Sequence, residues 1–327
     1  MKKKFKVNNI SLIIAMVLLV AMYMFGSKMF PRFGTISTVL NLFNNFSYMI
    51  VVAVGMTFVL ITGGIDISVP STCAFTGVLS AFLLEKGWNA FAVIFLVLST
   101  VIVVGYLQGY AIHNFKIAPF LVTLAGQFML RGLCSVITTV SIPITNDFYK
   151  KAALAKITWV TESGVRPKIY YYVFVAIAVV IIAWYVLKYT RFGRGVYAVG
   201  SNEQSAQYMG LPVARIKIGV YAISGFCAAL AGVLFSISTL AGYPLQNQGL
   251  ELDAISSAVI GGTLLTGGVG TVIGSLVGVL IQGIIQTIVS YASLNTWWTK
   301  VTIAGILCFF IVIQRVIAIR SEKQKAG

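Results

Sequence analysis

Residues 90–112 read AFAVIFLVLSTVIVVGYLQGYAI, an apolar run of 23 residues without one Asp, Glu, Lys or Arg. At about 1.5 Å of rise per residue, a helix of that length crosses the roughly 30 Å hydrocarbon core of a bilayer. Similar runs lie near residues 11–27, 46–62, 70–85, 117–140, 169–187, 217–240, 251–265, 270–291 and 297–316, the third and eighth in chain order being the weakest. The expected fold is therefore an all-α integral membrane protein of about ten transmembrane helices, with residues 1–327 forming a single transmembrane domain.

Composition agrees. Hydrophobic residues make up 58% of the chain and charged ones 10%, with a mean hydropathy of +0.93. Eight acids and 24 bases cannot coat a molecule of 35.3 kDa, so lipid must cover much of it. The net charge of +16 sits in short segments between apolar runs, the distribution of a membrane protein's loops, and nucleic acid is not an expected partner. Cys73, Cys134, Cys227 and Cys308 all lie within apolar runs and read as small packing residues. The basic N-terminus and the run from Ile10 to Phe25 resemble a signal peptide, but no small-x-small cleavage site follows, and a retained first span is expected.

An even span number puts both termini on one side. Fourteen Lys and Arg then fall on the side of the termini and nine on the other, which makes the termini cytoplasmic. Two loops are long enough to hold structure: an external one over 141–168, carrying Asp147 and Glu162, and a cytoplasmic one over 188–217. Within the second, Ser201 and Gln204 have capping-box spacing, Gly210 suits a left-handed stop and Pro212 blocks continuation, so a helix of about two turns is expected. A helix that short is marginal in water and needs something to lean on, a span end or another protein.

Residues 190–211, TRFGRGVYAVGSNEQSAQYMGL, resemble the coupling segment of the ribose-type sugar ABC importer permeases, T-x-F-G-R-x-x-Y-A-x-G-x-N-x-x-A-A-x-x-x-G-I, with Ser205 and Leu211 as mild departures. Residues 63–69, GGIDISV, resemble that family's G-G-I-D-L-S-V-G, with Pro70 in place of the last glycine. APFLVTL at 118–124, followed by Arg131-Gly132, and the ELDAI and VIGGT pieces beginning at Glu251 and Val259 are similar to its other blocks. Residues 267–271, 281–287 and 297–300 look most like galactofuranose-type members.

The resemblance implies a permease subunit in a bacterial inner membrane that carries a galactofuranose-like or ribose-like monosaccharide. It further implies an extracytoplasmic sugar-binding protein, a second permease copy or paralogue, surrounding lipid, and a cytoplasmic ATP-binding subunit holding ATP and Mg. Arg191, Gly193, Arg194, Tyr197, Gly200, Asn202, Ala206 and Gly210 are the residues it assigns to contact with that ATPase. The chain itself has no G-x-x-x-x-G-K-[ST] loop, and no catalytic residue, cofactor or metal is expected on it.

Charges within apolar segments are costly unless they face protein or water. Asp66, Arg131, Glu251 and Asp253 are thus candidates for a gate or pathway, though Asp66 and Asp253 also suit helix N-termini. Gln127, Gln282 and Gln286 are added as pathway candidates, the last two sharing a helix face. Asp66 and Asp253 correspond after a shift of five spans, as an inverted 5+5 repeat requires. Gly270, Gly274 and Gly278 read as a packing face. An ion-coupled carrier would need more buried titratable groups, and a membrane glycosyl transferase would need clustered carboxylates or histidines, whereas His113 stands alone.

Overall fold

The computed structural model describes residues 2–31, 33–160, 166–295 and 297–326, with side chains described for 11–31, 33–160, 166–295 and 297–312. Glu162 of the 141–168 loop lies outside the described residues, and the N-terminal lysines and the bases from Arg315 onward lie outside the described side chains.

The chain forms α1 (Lys2–Met29), α2 (Ile36–Ile61), α3 (Val69–Glu85), α4 (Ala90–Asn114), α5 (Pro119–Ile137), β1 (Ile142–Pro143), α6 (Asp147–Leu154), β2 (Lys156–Thr158), β3 (Lys168–Tyr170), α7 (Tyr171–Tyr189), α8 (Arg191–Ser201), α9 (Glu203–Tyr208), α10 (Val213–Thr239), β4 (Ala241–Gly242), α11 (Leu250–Ile260), α12 (Val272–Tyr291) and α13 (Trp297–Ala326). Every one of the ten expected spans falls on a helix, and among the described residues seven of them are long and apolar enough to cross a bilayer: α2, α4, α5, α7, α10, α12 and the stretch Ser11–Met29 of α1. α3 and residues Trp297–Val312 of α13 are apolar but shorter, and α11 has only 11 residues.

α2 is the axis of the molecule: 89% of its most apolar window is buried, against 28% for α4 and 22% for α5, whose outer faces are left for lipid. It starts ten residues before the expected span at 46–62 because Asn41, Asn44 and Asn45 break the apolar pattern without breaking the helix. α4 and α10 lie almost backbone to backbone, since a Cβ on Gly105 would meet the Tyr221 carbonyl at 2.5 Å and one on Gly109 the Ile218 Cα at 2.7 Å. Small residues allow this approach, which dispersion then rewards along both helices.

The loop over 141–168 is structured. Asn146 caps α6 by accepting from the Phe148 and Tyr149 amides, β2 and β3 form an antiparallel hairpin, and β1 pairs antiparallel with β4. That second pairing ties the loop to the segment after α10.

Candidate functional site

The 188–217 segment folds as two helices rather than the single one expected. Thr190 caps the first, its Oγ1 accepting from the Gly193 amide at 3.1 Å. Gly193 is pressed onto the end of α7, where a Cβ would stand 2.3 Å from the Val186 carbonyl. Ser201 does not open α9: it is still in α8, and a residue with helical backbone cannot adopt the extended geometry of an N-cap. The next residue can. Asn202, at φ −165°, accepts from the Ser205 amide at 2.8 Å and starts α9. Gly210 turns the chain at φ +75°, the expected left-handed stop. A 2.6 Å pair between Lys217 and Glu203 pins α9 to α10.

Ala206 is fully buried against the chain's own core, whereas Tyr208 and Met209 stand 88% and 68% exposed and Arg191 and Arg194 also point outward. These two apolar side chains and two bases share the exposed surface of the segment with the polar Asn202, Gln204 and Gln207 and the acidic Glu203.

The C-terminal end of α8 meets two interruptions of the bundle at one junction. The first is the break at 62–68 between α2 and α3; the second is the loop at 261–271 between α11 and α12. The Gly268 amide donates to the Ile61 carbonyl at 2.8 Å. A Cβ on Gly200 would lie 1.7 Å from that same carbonyl and 2.7 Å from the Gly268 nitrogen, and one on Gly267 would lie 2.8 Å from the Gly200 carbonyl. The Tyr197 hydroxyl donates to the Gly270 carbonyl at 2.8 Å. Burial pushes the Tyr197 phenol up to about 12, so it stays protonated and a donor. Gly270 thus lies in the loop rather than on the packing face expected for it, and only Gly274 and Gly278 pack α12 onto Gly261 and Ser257.

Just beyond the junction, Asp66 is 1% exposed and fully engaged. Its Oδ1 accepts from the Ser68 amide and hydroxyl at 3.0 and 2.6 Å, and its Oδ2 from the Ser224 hydroxyl of α10 at 2.6 Å. The cap position of α3 belongs to Ser68, two residues on. Gln108 of α4 completes the cluster through Ser68. Pro70 sits in the first turn of α3, where a missing N–H costs nothing.

The segment 240–249 is the counterpart between α10 and α11. It reaches well along α3: a Cβ on Gly242 would meet the Gly77 carbonyl at 2.5 Å, and Gln246 Nε2 donates to the Cys73 carbonyl at 3.5 Å. Irregular backbone at such depth must have its polar groups satisfied by protein. Arg131 of α5 does this, donating to the carbonyls of Pro244 and Gln246. Glu251 has a buried Oε2 without a hydrogen-bond partner among the described residues. Asp253 is in the first turn of α11 and pairs with Lys300 at 2.8 Å. Gln282 is buried and donates to the Asp253 carbonyl at 3.0 Å, which makes it a link between α11 and α12. Gln127 is half-buried on α5, and Gln286 is exposed one turn beyond Gln282.

The structure thus brings Tyr197 and Gly200 to one junction and leaves the pathway candidates in two groups, Asp66 on one side and Arg131, Glu251, Asp253 and Gln282 around 240–253. Sequence reading assigned no role to Ser68, although it lies in the GGIDISV stretch, and missed Ser224, for which a single serine in an apolar run gives no signal. The Gly267-Gly268 pair was visible, and two adjacent glycines at φ +82° and +75° are the mark of a backbone that must be approached closely. Among the described residues, no three His, Cys, Asp or Glu side chains gather in a way that could hold a metal.

Residues 38–312 match the model of a family described as branched-chain amino acid transport system / permease component. The inner membrane ABC transporter permease protein YjfF of Escherichia coli K12 is 41% identical over 98% of this chain and 96% of its own length. The fructose import permease protein FruG of Bifidobacterium longum is 35% identical over 99% and 96%, and the ribose import permease protein RbsC of Haemophilus influenzae 34% over 90% and 89%. No solved structure matches the chain.

Proposed function

We infer the working of this chain from the premise that it belongs to the branched-chain amino acid transport system / permease component family and, within it, to the ribose-type sugar ABC permeases. It is a multi-pass protein of a bacterial inner membrane and the subunit through which a monosaccharide is translocated, a non-enzymatic part of its importer. The finer reading is ours. Residues 191–210 are the docking segment for a cytoplasmic ATP-binding subunit that holds ATP and Mg. Arg191 and Arg194 with Tyr208 and Met209 form the face it grips, and Gly193, Asn202, Ala206 and Gly210 hold the segment's shape. Tyr197 and Gly200 pass its movement on.

The observation that carries this reading is the junction. The end of α8 touches both interruptions of the membrane bundle backbone to backbone, so a push on α8 reaches the Asp66 break and the loop before α12 together. Gates move as units because packed interfaces are bistable rather than continuously deformable. Arg131, Glu251 and Asp253 belong to the opposite gate, and the breaks after α2 and α10 support an inverted 5+5 repeat with ten membrane segments and cytoplasmic termini. An extracytoplasmic sugar-binding protein delivers a ribose-like or galactofuranose-like sugar, and a second copy or paralogue completes the path.

Reconstitution with the ATPase tests this. The pair Tyr208→Ala and Met209→Ala, exposed and outside the core, should leave insertion and melting unchanged while weakening recovery of the ATPase with the chain about thirty-fold, each of the two lost contacts being worth about 1 kcal/mol. Full recovery of the ATPase by this variant would refute the docking face.

A further inference from the structure

Two adjoining cavities of about 530 and 410 Å³ share one wall, formed by Asn41, Asn45 and Tyr48 at helical spacings of four and three on α2. One reaches Phe235 of α10, the other Gln286 and Ser290 of α12. Along α2, Asn41 is some 30 Å from Ile61 at the α8 junction by helix rise alone, which sets the cavities a membrane thickness away from the docking segment. If that segment is cytoplasmic, the cavities face the side from which sugar arrives.

The chemistry of the walls is specific. Asn41, Asn45 and Gln286 are exposed, and none of their side-chain amides makes a hydrogen bond to another described residue. Asn44, beside them, is different: its Nδ2 donates to the Lys168 carbonyl and its Oδ1 accepts from the Tyr170 amide, so it serves to staple β3. Free amides within a spanning helix are costly against hydrocarbon, so these three must meet water or a polar ligand. Each amide offers both donor and acceptor, the pairing a hydroxyl needs. Tyr48 and Phe235 meet edge to face with centroids 4.9 Å apart, giving an aromatic wall between the amides. Among the described residues, Lys168 is the only charged one lining either cavity, and no carboxylate does. A zwitterion would lack one partner, and a phosphate would meet a single base where clustered ones are wanted. A neutral, polyhydroxylated molecule with apolar C–H faces suits every wall, and the volumes lie in the range of small-molecule sites, about 300–1,000 Å³.

We propose that this cleft is a monosaccharide-binding station at the entry to the translocation path, with Asn41, Asn45 and Gln286 hydrogen-bonding sugar hydroxyls and Tyr48 packing against the sugar ring. The proposal rests on the importer reading and adds a site to it. Nothing in the sequence pattern singled out Asn41, Asn45 or Tyr48.

The test uses the complete importer with radiolabelled D-ribose, D-galactose and D-fructose. Asn45→Ala and Gln286→Ala should each lower uptake at sub-saturating sugar about 3- to 10-fold, as expected for one lost neutral hydrogen bond, while ATP hydrolysis stimulated by the loaded binding protein is unchanged. In a second arm, Asn45→Cys and Gln286→Cys are introduced on a Cys308→Ser background, the other three native cysteines being buried. A membrane-impermeant maleimide should label both from outside, and the transported sugar should slow the labelling. Wild-type uptake by both alanine variants, or labelling indifferent to sugar, overturns the site. Absence of labelling also overturns it, because the amides are then covered by lipid or a second copy. If the wild type imports none of the three sugars, the importer reading fails, and the labelling arm still decides the site: protection by any one of them upholds it, and protection by none refutes it.

Discussion

Gly200→Ala adds a single methyl group at a point where the backbone leaves no space for it. The added carbon would stand 1.7 Å from the Ile61 carbonyl oxygen, while ordinary contact begins at 3.4 Å, so the two must part by about 1.7 Å. Both flanking groups are backbone, and neither can swing aside as a side chain would. The separation strains the end of α8 by about 1–3 kcal/mol. It also stretches the bond from the Gly268 amide to the Ile61 carbonyl, a further loss of about 1 kcal/mol. If only about 1.4 kcal/mol of this falls on the coupled arrangement rather than on folding, coupled transport drops about ten-fold. The assay compares sugar moved per ATP hydrolysed in proteoliposomes, alongside thermal unfolding in detergent. Gly132→Ala is the control, since a Cβ there meets nothing within 4 Å. Gly200→Ala should hydrolyse ATP while moving little sugar, and Gly132→Ala should match the wild type. A Gly200→Ala importer with the wild-type ratio would refute the idea that α8 acts through this contact.

Arg131→Ala strips the donors from the Pro244 and Gln246 carbonyls and should lower the stability in detergent by about 1–3 kcal/mol, read as a fall in melting temperature, with Arg131→Lys recovering part of it. Ser224→Ala removes a hydrogen bond from the buried Asp66 and should cost about 0.5–1.5 kcal/mol in the same measurement; no change would mean that Asp66 is held by the break alone. Tyr197→Phe loses the bond to Gly270, worth about 0.5–1.5 kcal/mol. Because the Tyr197 phenol is raised from 10.0 to about 12, its neutral form stabilises the fold fully below pH 10.0, and that contribution is lost as pH rises towards about 12. The phenylalanine variant should lack this part of the alkaline loss.

The spans could be read from apolar run length because that is the physical requirement for crossing a bilayer, and each expected run became a helix. Boundaries failed where polarity and helicity part company. Asn41, Asn44 and Asn45 ended the apolar pattern of α2 but not its backbone bonds, and the residues left out of the expected span line the cleft. In the 188–217 segment, Gly193, Gly195 and Gly200 look like loop residues, yet they lie inside α8, where absent side chains admit the α7 end, Ile216 and Ile61. Composition records that a side chain is missing, not which neighbour has taken its place. The left-handed turn at Gly210 was legible because it is local, whereas the bonds of Asp66 to Ser224 and of Arg131 to 244–246 join segments more than a hundred residues apart.

Photo-crosslinking in inside-out vesicles of the assembled importer addresses the docking segment most directly. With a photoreactive phenylalanine at Tyr208, a covalent adduct with the ATP-binding subunit is expected, its yield changing when ATP is added, while the same probe at lipid-facing Phe95 gives none. An importer that moves sugar yet yields no adduct from Tyr208, or equal adduct from Phe95, would contradict it.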